Sequence, residues 1–198
     1  MKDTIIKITT CLLTMAPLWA HGAVISLMSD TSTVTPGESI TVTLAADFTG
    51  SPTFGGGLDI FYDEEVLGFV SFAFNFGLAD DPLLRRAPDV LSGELNGIGF
   101  GTLDTLDGVF IIGELTFVAL TTGFSPLTMA VNEGGLGPIP GGPNNPGPFV
   151  DATGMEQPVD TVSASVEVVP VPAAVWFMLT ALMTLRVWSR KATAPDGL

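Results

Sequence analysis

Nucleophilic and acid–base catalysis draw on Ser, Cys, His, Lys and paired carboxylates. This chain of 198 residues holds one Cys, Cys11, and one His, His21, both near its start. Between residues 23 and 169 there is no Cys, His, Trp or Lys. That removes Ser-His-Asp, Cys-His and Lys-nucleophile systems from the stretch, and zinc sites of the usual His/Cys kind with them. Two carboxylates could still hydrolyse a glycosidic bond. Asp59, Asp63 and Glu114 are the candidates. Strand alternation and turns fit solvated roles for them better, so no catalytic residue is assigned. Gly55-Gly56-Gly57 is no phosphate cradle, because it stands before a strand rather than a helix and no Lys follows.

Oxygen ligands for calcium are more plentiful. Asp63-Glu64-Glu65, Asp80-Asp81 and Asp104 with Asp107-Gly108 are acidic clusters, although none has EF-hand spacing. Solvated turns explain most of them. Asp104 and Asp107 are kept as the candidate calcium pair, and no other metal or cofactor is implied. Sugar-binding faces use aromatic rings as platforms, and residues 23–169 offer one Tyr, Tyr62, and no Trp. Phe72, Phe74 and Phe76 are spaced by two and share one face, as core residues do. Arg85-Arg86 is placed in a loop or short helix, with Asp80, Asp81 or Asp89 as ion-pair partners.

The elements that would position these residues read as strands. Val24–Leu27, Ser39–Ala45, Gly57–Tyr62, Leu67–Phe72, Glu94–Phe100, Leu127–Val131 and Val162–Val168 are short runs with apolar and polar residues alternating. Val109–Leu120 reads as a central strand buried on both faces. Thr35-Pro36-Gly37-Glu38 and Asp107-Gly108 are turns. Eight or nine strands with turns at this spacing predict an all-β sandwich. Residues 134–149, rich in Gly and Pro, read as a long loop with little regular structure.

Charge divides the chain. The net charge is −14, yet residues 23–169 hold 19 acids against Arg85 and Arg86, a net of −17. Such a surface argues against nucleic acid as a partner. Five of the seven basic residues lie at the two ends. Lys2 and Lys7 precede an apolar run from Ile8 to Trp19, and Ala20 and Gly22 are the small residues expected before a cleavage site. Residues 1–22 therefore read as a secretory signal peptide, and the mature chain would have no thiol. From Ala173 to Leu185 run 13 uncharged residues, with Trp176 and Trp188 near the ends and Arg186, Arg190 and Lys191 after them. This predicts a short transmembrane helix with a cytoplasmic basic anchor and a tail at 192–198.

The segment Val169-Pro170-Val171-Pro172-Ala173-Ala174-Val175-Trp176, an apolar helix and a terminal basic cluster resemble the PEP-CTERM sorting signal of Gram-negative bacteria. Residues 170–191 would form that signal. Val171 stands where the namesake motif has Glu, and Phe177–Leu182 replaces the usual Gly/Ser stretch. The resemblance implies an exosortase-like processing enzyme as partner. It also implies passage through the inner membrane and delivery to the cell surface or extracellular matrix. Residues 23–169 resemble a cohesin-type domain. The resemblance rests on Val34–Thr43 and on Gly57-Leu58-Asp59-Ile60-Phe61-Tyr62-Asp63-Glu64-Glu65-Val66-Leu67-Gly68-Phe69-Val70. It implies a nine-stranded jelly-roll β-sandwich, non-enzymatic, that binds a surface or matrix protein. The alternative is a carbohydrate-binding module for exopolysaccharide.

Overall fold

The structure, a computed structural model, describes residues 22–75, 85–132 and 147–171, together with positions 177, 178, 180, 181 and 183. Thirteen strands occur among them: β1 (Ala23–Ser29), β2 (Thr33–Val34), β3 (Ser39–Asp47), β4 (Thr53–Phe61), β5 (Leu67–Phe74), β6 (Arg85–Arg86), β7 (Asp89–Leu91), β8 (Glu94–Leu106), β9 (Val109–Ala119), β10 (Gly123–Val131), β11 (Val150–Asp151), β12 (Val159–Val162) and β13 (Ala164–Val168). They form two sheets. One is ordered β12-β1-β3-β9-β5; the other is ordered β2-β13-β10-β4-β8-β6, with β11 beside β4 and β7 beside β8.

The alternation in the sequence is what lets the two sheets share a core. In β3, Ile40, Val42 and Leu44 are buried, while Thr41 and Thr43 between them face outward. Ile25 and Leu27 of β1, and Leu115 and Phe117 of β9, join them from neighbouring strands. The second sheet contributes Leu58, Ile60, Leu95, Ile98, Phe100, Leu127, Val166 and Val168. Apolar side chains on the facing sides of two sheets are the main source of stability in such a sandwich.

All eight strands expected from the sequence are present, but the expectation of eight or nine falls short. β2, β6, β7 and β11 are short additions, and the last run divides into β12 and β13 at Ser163. Arg85 and Arg86 are in a strand rather than a loop or helix, paired with Phe100 and Gly99 of β8. The long strand β8 reaches past its apolar run and recruits them. Strand β9 is central, between β3 and β5, but it is not buried on both faces: Val109 is 71% exposed and Ile111 45%. A bulge opposite Leu44 changes the phase of its alternation, so a continuous apolar run fills both an inner and an outer face.

Gly55-Gly56-Gly57 lies within β4, not before it. Residues 147–151, at the end of the Gly/Pro-rich segment, lie directly on these glycines. The Gly57 N–H donates to the Gly147 carbonyl at 2.8 Å. A Cβ on Gly56 would sit 2.7 Å from both Cα and Cγ of Phe149, and one on Gly55 (φ +122°) would sit 2.2 Å from the Phe100 carbonyl oxygen. Only bare backbone allows this approach. It seats Phe149 against Phe100 and Phe48, with ring centroids 5.5 and 6.1 Å away. All three rings are fully buried.

Among the described residues, no helix is long and apolar enough to cross a membrane. Most of the expected span at 173–185 lies outside the described residues, as do residues 1–21, 76–84, 133–146 and 184–198.

Replacing Gly56 by Ala should destabilise the fold by about 1–3 kcal/mol through overpacking. Phe149→Ala, by emptying the aromatic cluster, should cost about 3–5 kcal/mol. Urea unfolding monitored by circular dichroism measures both. A Gly56→Ala protein as stable as wild type would show that the strand accommodates a side chain there.

Candidate interaction surface

Register places a row of four side chains across the outer face of the second sheet. Leu91 of β7 pairs with Glu94 of β8, Glu94 with Phe61 of β4, and Phe61 with Thr128 of β10. Leu91 is 52% exposed and Phe61 38%. The next row holds Asp89 opposite Asn96, and Asp59 opposite Ala130. A bulge in the β4–β8 pairing lies between them: Leu58 pairs with Ile98 and Ile60 with Leu95, so Asn96 and Gly97 together oppose Asp59. The Asp59 carboxylate uses the extra residue. Its Oδ1 accepts from the Gly97 N–H at 2.7 Å. Asn132 Nδ2 donates to both Asp59 oxygens, at 3.0 and 3.2 Å. Asn132 is buried, and its own N–H donates to the Gly57 carbonyl at 2.9 Å.

Further bonds fix the acids around this row. Asn96 Nδ2 donates to Glu94 Oε1 at 2.9 Å, and the Ser92 hydroxyl donates to Glu64 Oε1 at 2.5 Å. Arg86 Nη2 pairs with Asp89 Oδ2 at 2.5 Å, as the sequence suggested for one of three acids; Asp80 and Asp81 lie outside the described residues. The Arg85 guanidinium stands over the Phe74 ring, 5.9 Å from its centroid. The result is a rigid sheet face with two apolar side chains set among Asp59, Glu64, Asp89 and Glu94.

The outer face of the first sheet has different chemistry. Its cross-strand rows read Thr41, Thr116 and Ser71; Thr43, Glu114 and Ala73; and Ser26, Ala45 and Ile111. Short side chains fill these rows, while Met28 beside Thr43, Val109 beside Asp47 and Ile111 beside Ala45 are exposed apolar residues on the same face.

The three carboxylates considered for glycosidic chemistry do not converge. Asp59 is on the outer face of the second sheet, Glu114 on the outer face of the first, and Asp63 Oδ1 accepts the Glu65 N–H at 2.9 Å within a turn. Tyr62 is no open stacking platform: its ring packs edge-on against Phe117, centroids 5.2 Å apart. Burial raises its phenol pKa above the ordinary value, and the neighbouring Glu64 carboxylate adds to the shift. Phe72 and Phe74 pack against the core as expected, while Phe76 lies outside the described residues.

Asp104 is exposed near the end of β8, and Asp107 accepts the Gly50 N–H at 3.2 Å. Among the described residues, no three His, Cys, Asp or Glu side chains are grouped to hold a metal ion. Of the sorting motif, Val169, Pro170 and Val171 are described; the Val169 N–H donates to the Val34 carbonyl at 2.8 Å. Pro172, Ala173, Ala174, Trp176, Arg186, Arg190, Lys191 and Ala20 lie outside the described residues, and Gly22 immediately precedes β1.

The Asp59–Asn132–Gly97 network escaped the sequence reading. Its members are 73 and 38 residues apart, and only strand register brings them together. The one local signal was a carboxylate at an otherwise apolar stretch, Leu58-Asp59-Ile60.

No family model matches the chain, and no curated protein does. Solved structures match it well. A type I cohesin–dockerin complex from Clostridium thermocellum contains a chain that superposes with a TM-score of 0.58 at 12% identity, covering 76% of this chain and 95% of that one. The seventh ScaB type I cohesin of Pseudobacteroides cellulosolvens gives 0.56 at 12%, covering 76% and 94%. The cohesin module of a Clostridium perfringens family 33 glycoside hydrolase gives 0.52 at 10%, covering 76% and 97%. The fold is therefore that of a cohesin-like β-sandwich.

Asp59→Ala would remove the acceptor of the buried Asn132 Nδ2, and Asn132→Ala would leave the carboxylate short of a donor. Each should cost about 1–3 kcal/mol. The double variant should cost clearly less than the two singles together, because they share one network. A double-mutant cycle by urea unfolding measures this, and strict additivity would contradict the coupling.

Proposed function

We propose that this chain is an exported, non-enzymatic protein of the cell surface or extracellular matrix. Its cohesin-like domain captures a protein partner through the Leu91–Glu94–Phe61–Thr128 row. The observation that carries the reading is that row itself: apolar anchors on a rigid sheet, held among carboxylates. Anchors of this kind, shielded by a polar rim, concentrate binding energy in protein interfaces. Its acids call for a partner with Lys or Arg around an apolar centre, and they would steer it electrostatically. One of the compared structures, the Clostridium thermocellum complex, supports the class of partner, because in it the cohesin binds a dockerin.

The sorting part of the proposal rests on the sequence of the C-terminus. An exosortase-like enzyme would recognise Val169–Trp176 while the apolar segment and basic cluster hold the chain in the inner membrane of a Gram-negative cell. The position of the motif supports this: its first residue, Val169, directly follows β13 and makes a backbone bond to Val34.

A pull-down from the secreted fraction of the native host, with the chain as bait, should retain a specific protein. Leu91→Ser with Phe61→Ser should weaken retention roughly 10-fold or more, while Ile111→Ser on the opposite sheet should not. Broad binding on a glycan array with no retained protein would favour the carbohydrate reading instead. Deleting residues 170–198 should release the protein from membranes in soluble form, as fractionation and immunoblotting would show. A truncated chain still in the membrane would contradict the sorting reading.

A further inference from the structure

A second feature lies at the other end of β4 from Phe61. The chain leaves Phe149, pairs Val150 and Asp151 with β4, turns through Ala152–Met155, and returns. The Asp151 N–H donates to the Met155 carbonyl at 2.8 Å, and the Gln157 N–H to the Phe149 carbonyl at 2.7 Å. Between this hairpin and the segment Gly50-Ser51-Pro52 is a cleft of about 340 Å³. Asp151, Glu156 and Gln157 line it.

The polar groups of the cleft are mismatched. Gln157 is only 8% exposed, and its Nε2 donates to the Ser51 carbonyl at 2.7 Å. Its Oε1 is buried and has no hydrogen-bond partner. A buried amide oxygen left bare is costly, because it loses its bond to water and gains none in the protein. Asp151 takes the Thr153 N–H, the Thr153 hydroxyl and the Met155 N–H, all on Oδ1. Glu156 adds a second carboxylate, and no Lys, Arg or His lines the cleft. A cleft with two carboxylates, an unsatisfied amide oxygen and no cation is short of positive charge.

We infer that this cleft is a calcium site, with Asp151, Glu156 and the Gln157 amide oxygen as protein ligands. All three are hard oxygen donors, which suit Ca²⁺ and not Zn²⁺. A flexible, partly hydrated coordination suits Ca²⁺ better than Mg²⁺, which demands a near-ideal octahedron. The bound ion would tie the hairpin at 151–157 to the Gly50–Pro52 segment, which connects β3 of one sheet to β4 of the other. It would therefore brace the sandwich at the end away from the proposed partner surface. The site is distinct from Asp104 and Asp107.

The test is calcium titration of the full chain in detergent, by calorimetry and by thermal melting, with MgCl₂ as the control cation. The expected result is a saturable rise in Tm with a Kd of about 0.1–1 mM, the range of extracellular calcium modules, and a much weaker response to magnesium. Glu156→Gln should weaken calcium binding at least 10-fold. Gln157→Met, which removes the amide oxygen at similar size, should weaken calcium binding at least 10-fold; if a buried water alone satisfied Oε1, this variant would bind calcium as wild type does. Asp104→Asn should bind as wild type does. No heat and no Tm change up to 10 mM calcium would overturn the proposal. So would an unaltered affinity in Glu156→Gln, or loss of binding in Asp104→Asn.

Discussion

The backbone of β4 from Gly55 to Gly57 lies so close to Phe149 and Phe100 that no side chain fits between them. Much else follows from that contact. Phe149 closes an aromatic cluster with Phe48, just after β3, and Phe100, from β8, so one ring joins three chain segments. Burying a ring of this size is among the larger single contributions to such a core. The same contact returns the chain to β4 after the long Gly/Pro-rich segment. It thereby sets the start of the hairpin that carries Asp151 and Gln157.

Strand β4 is consequently the hub of the second sheet, paired with β8, β10 and β11. Its inner face is core, and its outer face carries Asp59 and Phe61. The β8 bulge opposite Asp59 turns a backbone N–H toward the carboxylate, and Asn132 supplies the remaining donor. A charged side chain on a sheet surface is usually free to swing, but this one is anchored at two sites. Such anchoring lowers the entropy lost when a partner docks on the neighbouring row. The outer face of the first sheet also exposes apolar side chains, Met28, Val109 and Ile111, among Ser, Thr and Ala. The carboxylates fixed beside Leu91 and Phe61 are the physical ground for assigning the partner surface to the second sheet.

The sequence made the sandwich legible because period-two alternation is local. Ser39–Ala45 announces which side chains face inward without reference to any other strand, and Pro36-Gly37 announces a turn. Bulges and pairings between distant segments are not local, and the reading failed at them. Val109–Leu120 looked buried on both faces because the bulge opposite Leu44 converts alternation into a continuous run. Arg85–Arg86 looked like a loop because two charged residues carry no strand pattern; β8 imposes the extended form on them. The triple glycine looked like the approach to a strand rather than part of one, because its requirement, the ring of Phe149, stands some 90 positions later. The Asp59–Asn132 network and the Gln157 cleft were invisible for the same reason. The charge division between the middle and the ends, by contrast, needed only counting.

The central claim is that a protein partner docks on the acidic, apolar row of the second sheet. Carboxylate footprinting of the complex tests it most directly, by labelling exposed Asp and Glu with and without the captured partner and reading each site by mass spectrometry. The account predicts that Asp89, Glu94 and Glu64 lose labelling on binding while Glu114, on the opposite face, is unchanged. Protection of Glu114 with continued labelling of Asp89 and Glu94 would place the partner on the other sheet and contradict it.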